Sequence, residues 1–134
     1  MKTYVFDASA LFAFLQKKPG ALRVSHILKE AMRGDARILM SAVNYGEVYG
    51  RILRDHGLDQ ALATMRVVGP LPVEILDATP QRAFQASDVK ARYKLYYADS
   101  FAAALTLEHK ATLVTSDSDF RKLGHAFSVV WLRV

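Results

Sequence analysis

The chain has 134 residues, 51% hydrophobic and 23% charged, with a formal net charge of +5 and a pI near 9.6. That balance excludes intrinsic disorder and supplies enough chain for one domain with a real core; the basic excess favours anionic partners, nucleic acid first, although many small domains are basic without touching it. The absence of cysteine excludes disulfides, thiolate zinc sites and cysteine nucleophiles, and fits a reducing cytosol.

Lys2 to Phe6 (KTYVF) reads as a short buried strand. Ser9 precedes LFAFL, which predicts a helix from there to near Pro19-Gly20. The opening MKTYVFDASALFAFLQKK has the outline of a signal peptide. Asp7 interrupts its apolar stretch, however, and no small-residue cleavage site precedes Lys17 and Lys18. No window approaches the length of a membrane span. The expectation is a cytoplasmic protein, mature from its first residue.

A second helix fits 21–33, with Leu22, Val24, Ile27, Leu28, Ala31 and Met32 at helical spacing, and Gly34-Asp35 ends it as a turn. RILM (37–40) is a second strand. Ser41 is placed to cap a third helix running to His56 and stopped by Gly57, its apolar stripe Tyr45, Val48, Tyr49, Ile52 and Leu53. LDQALATMRV (58–67) predicts a fourth helix. PVEI (72–75) predicts an edge strand, because Pro72 cannot donate to a ladder. Pro80 opens a helix over 80–95, Tyr97-Ala98-Asp99 opens the alanine-rich SFAAALTLEH, TLVT (112–115) is a strand, 117–123 a short helix and FSVVWL (127–132) the last strand.

Short strands alternating with helices predict right-handed βαβ units. The expected fold is α/β, a three-layer α/β/α sandwich with a central, mostly parallel sheet of four to five short strands, in one domain over 1–134. In such a sheet functional groups gather beyond the carboxyl ends of the strands. Asp7 follows the first strand and Asp117 follows TLVT. Asp99 and Glu47 sit in the first turns of helices whose N-termini lie at the same edge. The four acids therefore converge.

Convergence is unfavourable by itself, since like charges raise one another's pKa. A divalent cation removes the repulsion, and carboxylates with water are the ligands magnesium and manganese prefer. Such an ion polarises a phosphoryl oxygen, activates a water as nucleophile and steadies the leaving oxygen. Asp7, Ser9, Asp117 and Asp119 also lie near helix N-termini, where backbone N–H groups meet phosphate oxygens. Each acid has a plainer reading. Asp7, Asp99 and Asp117 are all placed as helix caps, and Glu47 with Asn44 and Arg51 makes an ordinary exposed polar face. The convergence of all four at one edge is the argument against coincidence.

These motifs resemble a known family. VFDASAL, the glutamate of NYGEVYGR, the aspartate of YYADSFAAAL and VTSDSDF, in that order and over nearly the whole chain, are similar to the PIN-domain ribonucleases, most of all the VapC toxins of VapBC type II toxin–antitoxin modules. Each motif is weak alone; their order and spacing are specific together. The resemblance implies a PIN-like fold and places the family's acidic ligands on Asp7, Glu47, Asp99 and Asp117, an auxiliary acid on Asp119, and supporting hydroxyls on Ser9 and Thr115. It implies Mg2+- or Mn2+-dependent endonucleolytic cleavage of RNA, a VapB-type antitoxin partner that restrains it, and a homodimer.

Lys90, Arg92 and Lys94, interleaved with Tyr93, Tyr96 and Tyr97, would carry phosphates and stack bases on the way to the metal; the competing reading is an amphipathic helix. Arg51 and Arg54 share a helix with Glu47 and would touch substrate or antitoxin, or simply solvent. Tyr45, Tyr49, Ile52 and Leu53 would line an antitoxin groove or belong to the core. Gly46 and Gly50 form a GxxxG suited to close helix packing, and Trp131 is a core or interface anchor. His26, His56, His109 and His125 have no ligand spacing, and no Walker loop, Rossmann glycine pattern or GxSxG elbow occurs. Two alternatives stand beside the nuclease: a catalytically silent PIN-like module binding RNA or protein, and a phosphohydrolase with an aspartyl nucleophile, disfavoured because Ser9 stands where its second Asp belongs.

Overall fold

The computed structural model describes residues 1–132; residues 133–134 of the expected domain lie outside the described residues. The elements run β1 (Lys2–Phe6), α1 (Ala8–Leu15), α2 (Ala21–Met32), β2 (Ala36–Ser41), α3 (Ala42–His56), α4 (Leu58–Val68), β3 (Glu74–Leu76), α5 (Pro80–Tyr93), α6 (Tyr97–Glu108), β4 (Thr112–Thr115), a 3₁₀ segment (Ser118–Ala126) and β5 (Ser128–Trp131). Every strand pair is parallel, and the order is β3-β2-β1-β4-β5. The sheet is thus wholly parallel, with β3 at an edge; the strand expected over 72–75 runs instead from Glu74 to Leu76, and Pro72 lies before it.

Period-two alternation sends successive residues to opposite faces. Tyr4, Phe6, Ile38, Met40 and Val114 pack with α1 to α4 on one face, whereas Val5, Leu39 and Leu113 pack with α5, α6 and the 3₁₀ segment on the other. Helices therefore cover both faces, the three-layer α/β/α arrangement. Helix α6 is buried without interruption from Ser100 to Thr106, which is why its sequence is alanine-rich rather than amphipathic: a helix packed against the sheet beneath α5 has little room for larger side chains.

Chain order moves outward from β1 through β2 to β3, then returns to the other side of β1 for β4 and β5. The two directions part between β1 and β4. At such a switch point the flanking crossovers leave on opposite faces, and a crevice opens beyond the strand ends. Asp7 and Asp117 follow those two strands.

Several local expectations shift. Asp7, not Ser9, caps α1, and the helix stops at Leu15 instead of continuing toward Pro19. The segment after Asp117 is 3₁₀ rather than α-helical, broken at Gly124. On α2, Leu22 and Met32 are 82% and 74% exposed, so only Val24, Ile27 and Leu28 form the buried stripe. Gly20 is required where it stands: its φ is +95°, and a Cβ would lie 2.7 Å from Leu132.

Candidate metal centre

Asp7 is built into the junction of β1 and β4. It is only 4% exposed. Its Oδ1 accepts from Ser9 Oγ at 2.6 Å and from Ala10 N at 3.0 Å, and its Oδ2 accepts from Thr115 Oγ1 at 2.6 Å. Each hydroxyl is itself an acceptor, Ser9 from Ser116 N and Thr115 from Asp117 N, both at 2.9 Å. A hydroxyl has one proton, and both are spent on Asp7, so the 3.2 Å approach of Ser9 Oγ to Thr115 Oγ1 is a contact between two acceptors. Three of the carboxylate's roughly four lone-pair sites are taken, which leaves one open on Oδ2. Capping and ligation are therefore compatible in one side chain.

Asp117 also caps, its Oδ1 accepting from Asp119 N at 2.9 Å. One carboxylate oxygen each from Asp99, Asp117 and Asp119 lie within 4.8 Å of one another. This trio is the tightest acidic group among the described residues, and it contains the residue the resemblance made auxiliary, Asp119. Asp7 and Glu47 stand around it, near enough for their charges to act on Asp99.

Glu47 is oriented by a residue that the sequence reading left on an exposed face. Asn44 is 1% exposed, and its Nδ2 donates to Glu47 Oε1 at 2.9 Å and to the Ala98 carbonyl at 3.0 Å. One amide thus ties the glutamate of α3 to the first turn of α6, next to Asp99. The i, i+3 spacing of Asn44 and Glu47 was visible in the sequence; the carbonyl of Ala98, 54 positions away, was not.

The electrostatics follow from this crowding. Burial first, then the charges of Asp117, Asp7, Glu47 and Asp119, push the Asp99 carboxyl up to about 7. Burial also raises Asp7, to about 6; the hydrogen bonds from Ser9, Thr115 and Ala10 pull the other way. No lysine or arginine forms an ion pair with any of the five acids among the described residues. Carboxylates in hydrogen-bond order, without a cationic neighbour, form an all-oxygen donor set of the kind hard divalent cations occupy.

The basic candidates separate. Arg51 lies over the Phe12 ring at 4.6 Å and, with Glu47, lines a cavity of about 320 Å3. Lys90, Arg92 and Lys94 are exposed at the C-terminal end of α5 and donate to none of the acids; Arg92 faces a larger groove of about 790 Å3 between α5 and α6, which none of the five acids lines. Chemistry outweighs size here, and the acidic edge is the better site. The tyrosines divide too. Tyr93 packs edge-on against Phe127 in the core, whereas Tyr96 and Tyr97 are exposed. Tyr45 and Tyr49 pack against the core, as the plainer reading had it. Trp131 is half-buried under Arg121.

The class is an α/β protein with a parallel five-stranded sheet and a group of carboxylates gathered at its switch point. The family model of the PIN domain matches residues 4–126, and the chain belongs to the PIN-domain family. No curated protein sequence matches it. Solved structures share the fold. One is a chain of VapBC2 from Rickettsia felis, bound to a DNA fragment from their promoter, with a TM-score of 0.77 at 15% identity over 98% of this chain and 99% of that one. A second is a chain of VapBC-1 from nontypeable Haemophilus influenzae, with a TM-score of 0.72 at 18% identity over 97% and 98%. A third is VapC20 of Mycobacterium tuberculosis, a sarcin-ricin loop cleaving toxin, with a TM-score of 0.72 at 18% identity over 90% and 95%. No helix among the described residues is long and apolar enough to cross a membrane.

Proposed function

We propose that this chain, acting as one PIN domain in the cytoplasm, is an Mg2+- or Mn2+-dependent endoribonuclease, the toxin of a type II toxin–antitoxin module. In this reading it works as a homodimer and is held in check by a VapB-type antitoxin. The observation that carries the proposal is the acidic group itself: Asp99, Asp117 and Asp119 within 4.8 Å, with Asp7 and Glu47 around them and no cation to offset their charge.

Asp99, Asp117 and Asp119 would hold the ion directly, Asp7 through its open Oδ2 site and Glu47 from the facing helix. Bound there, a divalent ion supplies charge neutralisation and Lewis acidity to a phosphodiester and to its attacking water. The chain's own part is preorganisation. Ser9 and Thr115 fix the direction of Asp7, and Asn44 fixes Glu47. Similarity to solved VapBC structures and the basic pI support nucleic acid as substrate.

Sequencing RNA 5′ ends after induction of the protein, beside Asp7→Asn and Asp99→Asn variants that melt normally, tests the reading. The expected result is a discrete set of new ends that both variants and a chelator abolish. RNA retention without cleavage in either metal would instead favour the silent binding module.

A further inference from the structure

The cavity beside Glu47 carries more than the metal reading uses. It holds about 320 Å3 and is lined by Ala8, Phe12, Glu47, Gly50, Arg51 and Arg54. Phe12 is buried, 4% exposed, and forms a fixed platform under the Arg51 guanidinium. Stacking occupies the face of the guanidinium and leaves its in-plane N–H donors free, and among the described residues no carboxylate pairs with them. Arg54 differs, because Asp55 accepts from it at 2.9 Å.

Gly50 adds an independent point. It lies in the interior of α3, where glycine destabilises relative to alanine. A Cβ there, or at Gly46, would meet nothing within 4 Å, so the GxxxG does not serve helix packing as the sequence suggested. The glycines instead leave a stretch of bare helix surface running past Glu47 to Arg51.

We infer that this cavity seats a backbone phosphate of a single-stranded RNA, flanking the bond to be cut, with Arg51 as the residue that grips it. The inference rests on the ribonuclease reading above. Glu47 belongs both to this cavity and to the acids around Asp99, so an occupant of the seat continues directly into the reacting centre. In a polymer substrate the group one step from the scissile phosphate is another phosphate. A planar guanidinium with two free parallel N–H donors matches it, and a helix face without side chains lets the sugar–phosphate chain lie close.

The test is fluorescence-anisotropy binding of a short oligoribonucleotide in calcium, using a set in which each phosphate in turn is a neutral methylphosphonate. The wild type should lose affinity sharply at one flanking position. Arg51→Ala should bind the unmodified RNA about 10-fold more weakly, lose its sensitivity to that position alone, and flatten the log–log salt slope by about 0.7. Gly50→Val, whose Cβ meets no neighbour within 4 Å and whose methyl groups enter the cavity, should reproduce the loss while melting as a folded protein. Unchanged affinity in both variants overturns the inference, as does an Arg51→Ala profile identical to wild type at every position. Lost binding of a polyglutamate peptide with RNA affinity intact also overturns it, in favour of a protein partner. A wild type that binds no RNA at all removes the ribonuclease reading together with the inference.

Discussion

On the outer strand β3 and at the C-terminal end of α6, carboxylates have partners. Glu74 accepts from Arg37 Nε at 2.6 Å and from Nη2 at 3.0 Å, and Glu108 accepts from Arg82 Nε and Nη2, both at 3.2 Å. Those guanidinium bonds hold both carboxyls below the ordinary glutamate value. At the carboxyl edge the same functional group is in the opposite condition: Asp7 and Asp99 lie above the ordinary aspartate value, through burial and mutual repulsion. The guanidinium-paired acids serve local order, and one could be lost at little cost. The crowded acids repel one another, although Asp7 and Asp117 also cap the segments that follow them. The difference separates acids paired with a cation from acids crowded against each other.

The largest expected effect breaks the two properties apart at the carboxyl edge. Asp99→Asn should lower the cleavage rate by about 10³-fold, the scale of losing one well-placed electrostatic group in an active site. In a chelator the same variant should melt above wild type, because it removes a repelled charge. A variant that loses activity and stability together would mean that Asp99 supports packing, and the contrast between the two groups of acids would fail there.

Asn44 comes next. Outer partners of metal-binding carboxylates typically contribute 10- to 100-fold in metal affinity. Asn44→Ala should therefore weaken Mn2+ binding by about 10-fold in titration calorimetry. Because its donor goes to Glu47, adding Asn44→Ala to Glu47→Gln should cost little more than Glu47→Gln alone. Full additivity would show that the amide acts through the Ala98 carbonyl instead.

How far the sequence reached can be judged from these same residues. The cap at Ser41 and the stop at Gly57 were legible because they depend on local chemistry, a hydroxyl and a positive φ of 88°. Convergence of the acids followed from topology alone, since helices that run antiparallel to parallel strands start at the edge where those strands end. The roles of Asn44 and Gly50 were not legible. Each depends on whether a distant segment packs against it, Ala98 in the first case and nothing in the second. The 3₁₀ form after Asp117 was hidden for a related reason, because Gly124 breaks the segment with φ 61° and ψ −144° where a helical pattern continues.

A smaller effect concerns pH. A carboxyl whose folded pKa lies above its unfolded value keeps a proton that the unfolded chain has already released. Stability is then highest below about pH 4 and declines as pH rises through the folded values, about 6 for Asp7 and about 7 for Asp99. Solvent reaches Asp99 in part, which limits the decline to about 1–2 kcal/mol, or roughly 5 °C. In a chelator the protein should melt about that much lower at pH 8 than at pH 5. Millimolar Mg2+ or Mn2+ should close the gap, and Asp99→Asn should narrow it. A metal-free protein equally stable at both values would contradict the crowding.

The smallest effect lies on the outer strand β3 and has the reverse sign. Glu74 and Arg37 are each nearly half exposed, with 49% and 43% of side-chain surface accessible, so solvent and salt screen their pair. Glu74→Gln should leave cleavage and metal affinity unchanged and move the melting temperature down by no more than about 2 °C at pH 7. A depressed carboxyl contributes its stability above the unfolded pKa and surrenders it as pH falls through the folded one. The deficit of Glu74→Gln should accordingly shrink as pH falls below the ordinary glutamate range and through the lowered folded value of Glu74. Two carboxamide substitutions, one on the outer strand and one among the crowded acids, would then shift stability in opposite directions at neutral pH and agree in acid. If Glu74→Gln raised the melting temperature as Asp99→Asn is expected to, repulsion would have to be a property of the whole chain's acids and not of the carboxyl edge.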